Sequence, residues 1–348
     1  MKNEEWGLLI SFLSMSNIIC VGSVAKDIFF PTGEGEFLDT PEDVTAQRKV
    51  AFEVGAKYQV EDRYEAVGGV AANTSVGLAR LGLSVSCCGA TGDDDIGLWI
   101  RNELEREGVD IGNIEIFPET KSDLSSILVF TKDGERTIFY NRDSAERFHM
   151  DASKLSGASW VVVSALNGEW RENLRNAVSG VRSSSAKLVV NPGQRNMKDD
   201  PELLLEVMRE ADVLLLNKDE AIELVARISE SPASLNDETF LMRSLFGHGA
   251  KVIALTDGMR GAWGYDGREM LRAVSRKPER GIDTTGAGDA FGSAFLAATV
   301  LGKPLSESLV WGMLNGASVV RHFGAIEGLL RRNEIESHLD DIAVEFLK

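Results

Sequence analysis

"DVLLLNKDEAIELVAR", residues 212–227, holds a strand and a helix with almost nothing between them. The continuous apolar run Val213–Leu216 reads as a strand buried on both faces, and such strands belong to parallel sheets. Asn217 followed by Glu220 is the spacing of a reciprocal helix cap, so the helix begins at once and runs through "KDEAIELVAR". The same unit recurs on both sides. "WVVVSAL" precedes a helix at 169–183, "KLVVNPG" precedes one at 201–210, and "KVIALTDG" is a further strand. Upstream, "NIICVGSVAKDIFF" is a β-rich run, and "GGVAANTSVGLARLG" (68–82) is a glycine turn feeding a helix of small residues, stopped at Gly82. "SVSCCGA" is another strand, and "DIGLWIRNELEREG" is an amphipathic helix with Ile96, Trp99, Ile100 and Leu104 near helical spacing. Strands alternating with helices predict an α/β fold: a central, mostly parallel sheet flanked by helices on both faces.

Two segments break the rhythm. Residues 31–66 are rich in charge and turn residues, and 113–142 read as a β-meander ("IEIF", "SSILVF", "RTIFY") with an Asp-Gly hairpin signal at Asp133-Gly134. Segments drawn from about 28–66 and 113–142 are therefore expected to form a small β lid over the carboxyl edge of the sheet, where open α/β folds bind ligands. Residues 261–275 read as late antiparallel strands, and helices at about 288–301, 305–322 and 334–346 close the chain. With no internal repeat or long linker, residues 17–348 are expected to form one domain, and residues 1–16 an extension.

Composition narrows the function. The 348 residues are 43% hydrophobic and 26% charged, with a net charge of −17, which disfavours nucleic acid and anionic membrane surfaces as partners. The apolar run Trp6–Leu13 is too short to span a bilayer and has Glu4 and Glu5 before it, where a secretory signal carries positive charge. Cys20, Cys87 and Cys88 form no disulfide framework and read as small buried apolar residues in a reducing, cytoplasmic setting. Neither a P-loop nor a dinucleotide-binding GxGxxG after an early strand is present.

The chemistry concentrates in "GIDTTGAGDAFGSAF" (281–295). Gly286 and Gly288 allow a sharp turn and close approach to a ligand, and the following helix start presents unpaired N–H groups and partial positive charge. Gly286, Ala287 and Gly288 thus suit an oxyanion, most naturally a phosphate. Asp289 either caps this helix or serves as a general base beside a transferring phosphoryl group. The small residues Ala290, Gly292, Ser293 and Ala294 allow the first turn to pack close to sheet and ligand.

"DTTGAGDAFGSAF" resembles the C-terminal signature of the ribokinase-like (PfkB-type) carbohydrate kinases, and "GGVAANTSVGLARLG" resembles their N-terminal signature, in the family's order. The likeness extends over roughly residues 17–330. It implies a ribokinase-like fold and an enzyme, a phosphotransferase that passes the γ-phosphate of ATP to a hydroxymethyl group of a sugar or sugar acid. The implied activity is fructokinase-like, ribokinase-like or 2-keto-3-deoxygluconate kinase-like, and a nucleoside kinase on the same scaffold is the alternative. A non-catalytic sugar-binding regulator is a further one.

The resemblance makes Asp289 the catalytic base and Gly286–Gly288 the anion hole. It makes Asp27, Gly68, Gly69 and Asn73 the substrate side, where the residues alone read as a solvated loop acid, turn glycines and a helix-face amide. Asn217 and Glu220 become the Asn-x-x-Glu element that organises Mg²⁺ through its waters. Thr256, Gly258 and Gly261 lie along the nucleotide, and Asn315 near the adenine. Asp283 and Thr285 are placed beside a monovalent cation such as K⁺. Arg142, in "FYNRDSA", is placed to meet a sugar carboxylate or phosphate. Lid strands that pair between subunits imply a homodimer. The chain departs from the pattern in its long 31–66 segment and in Asn191, where many members carry Asp.

Overall fold

The computed structural model describes residues 17–40, 48–60, 62–132, 135–229, 234–279 and 281–347. The expected extension at 1–16 and the Asp133-Gly134 turn lie outside them. Among the described residues the main sheet has ten strands, in the order β16-β15-β14-β13-β12-β11-β10-β1-β6-β7. These are β1 (Asn17–Val21), β6 (Ser84–Gly92), β7 (Asp110–Phe117), β10 (Trp160–Val163), β11 (Lys187–Val190), β12 (Val213–Asn217), β13 (Ile253–Thr256), β14 (Ala262–Tyr265), β15 (Met270–Ser275) and β16 (Ile342–Phe346). From β7 through β13 every neighbour is parallel. From β13 to β16 the pairs are antiparallel.

Parallel strands need both faces covered, and β1 shows how the sequence meets that demand. Its alternate residues Ile18 and Cys20 join one apolar cluster, while Ile19 and Val21 join the other. The first cluster takes the small-residue helices α1 (Val70–Arg80), α5 (Ala287–Val300) and α6 (Leu305–Val319). The second takes α3 (Trp170–Ser184) and α4 (Lys218–Ile228); α2 (Asp95–Arg106) packs beside β7. Gly77 shows why α1 is built from small residues: a Cβ there would overlap the side chain of Ser293 on α5. All three cysteines are buried free thiols, as read, and burial pushes the Cys20 and Cys88 thiols up to about 12.

Strand order reverses at β1: the chain steps to β6 and β7 on one side, then returns to β10 and runs outward to β13 on the other. Such a switch point opens a crevice beyond the carboxyl ends of the strands. A second sheet, ordered β5-β2-β8-β9, lies beside it, made of β2 (Ala25–Thr32), β5 (Tyr64–Gly68), β8 (Leu124–Phe130) and β9 (Arg136–Asn141). The hairpin β3 (Glu36–Asp39) with β4 (Arg48–Ala51) forms a third. The lid touches the core through Tyr64, stacked on Phe323 at 4.8 Å, and through Arg136, which donates to Thr284 Oγ1 at 2.6 Å.

Two expectations need correction. The segment 113–142 is not one meander: β7, which contains "IEIF", joins the main sheet parallel to β6, and only β8 and β9 belong to the lid. Alternation marks a half-buried strand but does not say which sheet receives it, and the crossover through α2 places β7 next to β6. The last closing helix is also absent: a short helix at Arg332–Glu336 ends early, and Ile342–Phe346 pairs antiparallel with β15. The open edge of β15 offers hydrogen bonds that override the weak helical pattern there.

Candidate active site

The carboxyl ends of β10 to β13 surround one cavity of about 240 Å³. Ala165 follows β10, Asn191, Pro192 and Gly193 follow β11, Asn217 ends β12 and Thr256 ends β13; Gly288, Asp289 and Phe291 reach in from α5, and Glu220 from α4. Expected residues from three separate sequence segments (Asn217 and Glu220, Thr256, Gly288 and Asp289) thus converge with Asn191, while Ala165, Pro192 and Gly193 were not anticipated. Their signal is positional: each follows a parallel strand at the switch-point edge.

The loop before α5 is held from behind. The fully buried Asp283 accepts from Thr285 N at 2.9 Å and Thr285 Oγ1 at 2.6 Å through one oxygen, and from Gly324 N at 3.0 Å through the other. Gly286 has φ 74°, in the left-handed region, and a Cβ there would overlap Ala325; at Gly288 the same atom would meet open space. Arg80 fixes this backing segment by pairing with Glu107 at 2.7 Å and donating to the carbonyls of Ile326 and Leu329 at 2.6 and 3.1 Å.

Gly286 is the N-cap of α5 and supplies no side-chain cap; Ala287 N donates to the Thr284 carbonyl at 3.4 Å, and the N–H groups of Gly288 and Asp289 remain for a ligand. Asp289 does not cap the helix: its Oδ2 accepts from Asn73 Nδ2 of α1 at 2.8 Å. Burial pushes the Asp289 carboxyl up to about 6; the Asn73 hydrogen bond opposes this, and the Asp27 charge adds to it. Asn73 Oδ1 is buried with no hydrogen-bond partner among the described residues, so the amide that holds the base also presents an unused acceptor.

Asp27 sits on β2 with its residue 8% exposed. Gly68 is the reason it fits, since a Cβ at Gly68 would overlap the Asp27 carboxylate. Gly69 has φ 91°, and a Cβ there would overlap the backbone of Ser23. Arg142 lies at the end of β9, where Nη2 donates to Ser125 Oγ at 3.1 Å and Nη1 donates to the Asn141 carbonyl at 3.0 Å.

On the other side, Asn217 and Glu220 form the anticipated reciprocal cap, each backbone N–H donating to the other's side chain at 2.9 Å. Burial pushes Glu220 up to about 7, with the Asp289 charge contributing. Thr256 lines the cavity. Gly258 and Gly261, both at positive φ, flank the turn after β13 and are not among its lining residues. Asn315 is fully buried; its Nδ2 donates to the Ala290 carbonyl at 2.9 Å and its Oδ1 accepts from Leu330 N at 2.8 Å. The structure therefore places Asn315 inside the packing that supports α5, with both ends of its amide engaged by backbone, and not among the cavity's lining residues.

A glycine turn at a helix start and an acid beside it thus line one cavity at the switch-point edge of the sheet. The model of the pfkB family carbohydrate kinases matches residues 42–332. The chain belongs to this family. It is a phosphotransferase with an alcohol group as acceptor, on a ribokinase-like fold. Similar to it are the 5-dehydro-2-deoxygluconokinase of Bacillus subtilis (strain 168), 26% identical over 289 residues, 79% of this chain and 86% of that protein, and the fructokinase of Salmonella typhimurium, 30% identical over 244 residues, 66% and 76%. Among solved structures, the ribokinase of Cryptococcus neoformans var. grubii serotype A in complex with ADP is similar at a TM-score of 0.72 and 23% identity, covering 93% of this chain and 99% of that one. The two stretches that carry the resemblance, far apart in sequence, meet in space where Asn73 of α1 donates to Asp289 of α5.

Proposed function

We propose that this kinase transfers the γ-phosphate of ATP to the hydroxymethyl group of a ketose or keto-sugar acid. The observation that carries the reading is Asp289, held by Asn73 at the rim of the glycine cradle and open to the cavity. One Asp289 oxygen is engaged by Asn73, and the other takes the proton of the acceptor hydroxyl as its oxygen bonds to phosphorus and the bond to the ADP oxygen breaks. The N–H groups of the Gly286–Gly288 turn and the start of α5 receive the charge on the transferring phosphoryl oxygens. Asp27 accepts from vicinal hydroxyls of the sugar, and the unused Asn73 Oδ1 accepts from another. The ADP complex of the similar ribokinase and the names of the similar sugar kinases support this assignment.

Glu220 and Asp289 face one cavity, and the repulsion that helps raise Glu220 fits a site that receives a cation. Among the described residues no group of three or more His, Cys, Asp or Glu side chains forms a metal cage. Asn217 and Glu220 would hold Mg²⁺ through its waters, and Mg²⁺ when bound supplies positive charge to the phosphate oxygens. The proposal extends to K⁺ beside the loop braced by Asp283 and Thr285, and to a homodimer through β9, whose Ile138, Phe139 and Tyr140 are exposed. It treats residues 17–348 as one kinase domain, working in the cytoplasm, where the buried thiols stay reduced. Among the described residues no helix is long and apolar enough to cross a membrane.

A panel of ketoses, aldoses, keto-sugar acids, adenosine and inosine, read by ADP formation, tests the assignment. Turnover of a ketose or keto-sugar acid supports it; turnover of the nucleosides alone overturns it. The pH profile is a second check. The base must be unprotonated, so kcat/KM for the acceptor is expected to fall as pH drops through about 6, the value to which Asp289 is pushed. Asn73→Ala removes a hydrogen bond that favours the carboxylate, so the acid-side break should move to higher pH. An unchanged break in that variant would show that another group sets it.

A further inference from the structure

The lid sheet carries a row of polar groups, of which Ser125 and Asp123 are marked by no motif. In the parallel pair β2–β8, Asp27 and Ser125 are register partners, and in β8–β9 Leu124 lies opposite Asn141, which brings Arg142 alongside. Ser125 is 2% exposed and, as the register partner of Asp27, stands beside its carboxyl, which burial pushes up and the Ser125 hydroxyl pulls down. Arg142 Nη2 donates onto Ser125 Oγ at 3.1 Å, so the one proton of that hydroxyl is left for the Asp27 side.

Arg142 is itself fixed. Nη1 donates to the carbonyls of Asn141 and Leu124 at 3.0 and 3.4 Å, and the guanidinium lies over the Tyr140 ring at 4.8 Å. Behind it, Nε stands 4.0 Å from Asp123 Oδ2, a buried oxygen with no hydrogen-bond partner among the described residues. Asp123 is locked through Oδ1, which accepts from Ser144 N at 3.0 Å, Ser144 Oγ at 2.8 Å and Ala145 N at 3.2 Å.

We infer that Ser125 is a positioning residue for the acceptor: it stands between the Arg142 guanidinium and Asp27 and keeps that carboxylate oriented for sugar hydroxyls, with Asp123 anchoring the far end. Arg142 accordingly acts through Ser125 and does not serve as a free anchor for a substrate carboxylate. The charged groups facing Asp27 are Arg142 from the lid, Asp283 from the loop before α5 and Asp289 from α5. Burial first, and then the Asp283 charge, favour protonation of Asp27; Ser125 and Arg142 oppose them. The inference rests on the reading of Asp27 as the acceptor's anchor, and it is testable without any acceptor.

In the intact protein labelled with ¹³C-carboxyl aspartate, the Asp27 resonance is assigned by its loss in Asp27→Asn and titrated. Its midpoint is expected to rise in Ser125→Ala and in Arg142→Met and to stay at the wild-type value in Ser125→Thr, which keeps the hydroxyl. A midpoint unmoved in both Ser125→Ala and Arg142→Met, with native melting curves, overturns the relay. On whichever acceptor the panel yields, Ser125→Ala should raise the acceptor KM about tenfold, the effect of losing one hydrogen bond to a charged group, with kcat and the KM for ATP held within about twofold. An equal fall in kcat with an unmoved acceptor KM overturns it as well. If no acceptor is turned over, the function proposed for the site fails while the titration still decides the relay.

Discussion

Asp289→Asn is expected to lower kcat by about 10³-fold, within the usual contribution of a positioned general base, while the KM for ATP stays within about twofold. Asn has the shape of Asp and retains an oxygen for the Asn73 N–H, so the geometry survives and only proton acceptance is lost. The same substitution should stabilise the fold at high pH. The native carboxyl is pushed from 3.8 to about 6, so the native state binds its proton more tightly than the unfolded chain does. The penalty for the charged group is therefore full above about pH 6 and disappears as pH falls below the unfolded value. The variant should melt above wild type at pH 8, and the gap should close towards pH 4. Near wild-type turnover, or a melting gap independent of pH, would remove Asp289 from the role of buried base.

The two glycines of the cradle are expected to fail in different ways. Gly286→Ala meets both a left-handed backbone and the Ala325 side chain, so it should cost about 1–3 kcal/mol of stability and take activity down with it. Gly288→Ala puts a methyl group into open space on the cavity wall, so its melting temperature should match wild type. Its kcat/KM for ATP should nevertheless fall by about 10²-fold, because the methyl occupies the space between the first-turn N–H groups and the phosphate oxygens. A Gly288→Ala enzyme with wild-type kcat/KM would mean that the phosphoryl group sits elsewhere.

These contrasts also show where sequence reading stops. The glycines, Asp289 and the Asn217/Glu220 cap were legible because their chemistry is local: a turn, a helix start and a reciprocal cap are each set within a few residues. Asp27 and Asn73 were singled out only through the resemblance, since a lone acid after a strand has no local mark of a ligand site. Ser125 and Asp123 carry no sequence signal at all. Their roles depend on strand register across the lid, which brings residues 27, 125 and 142 into one row. Arg142 was read as a substrate contact through the resemblance of "FYNRDSA", and the folded lid supplies it with Ser125 and backbone carbonyls.

The amino-acid sequence by itself determined the parallel sheet with helices on both faces, the cradle at residues 286–288 and the acid beside it, because apolar periodicity, glycine placement and helix starts act over short stretches of chain. Only the tertiary structure decided that β7 joins the main sheet, that Ile342–Phe346 closes its edge as a strand, that Asn315 supports α5 from within and that Asn73 holds Asp289. Each of those depends on a partner distant in sequence. A hydrogen-bonding edge, a register or a buried amide's neighbour exists only once the chain has brought the two segments together.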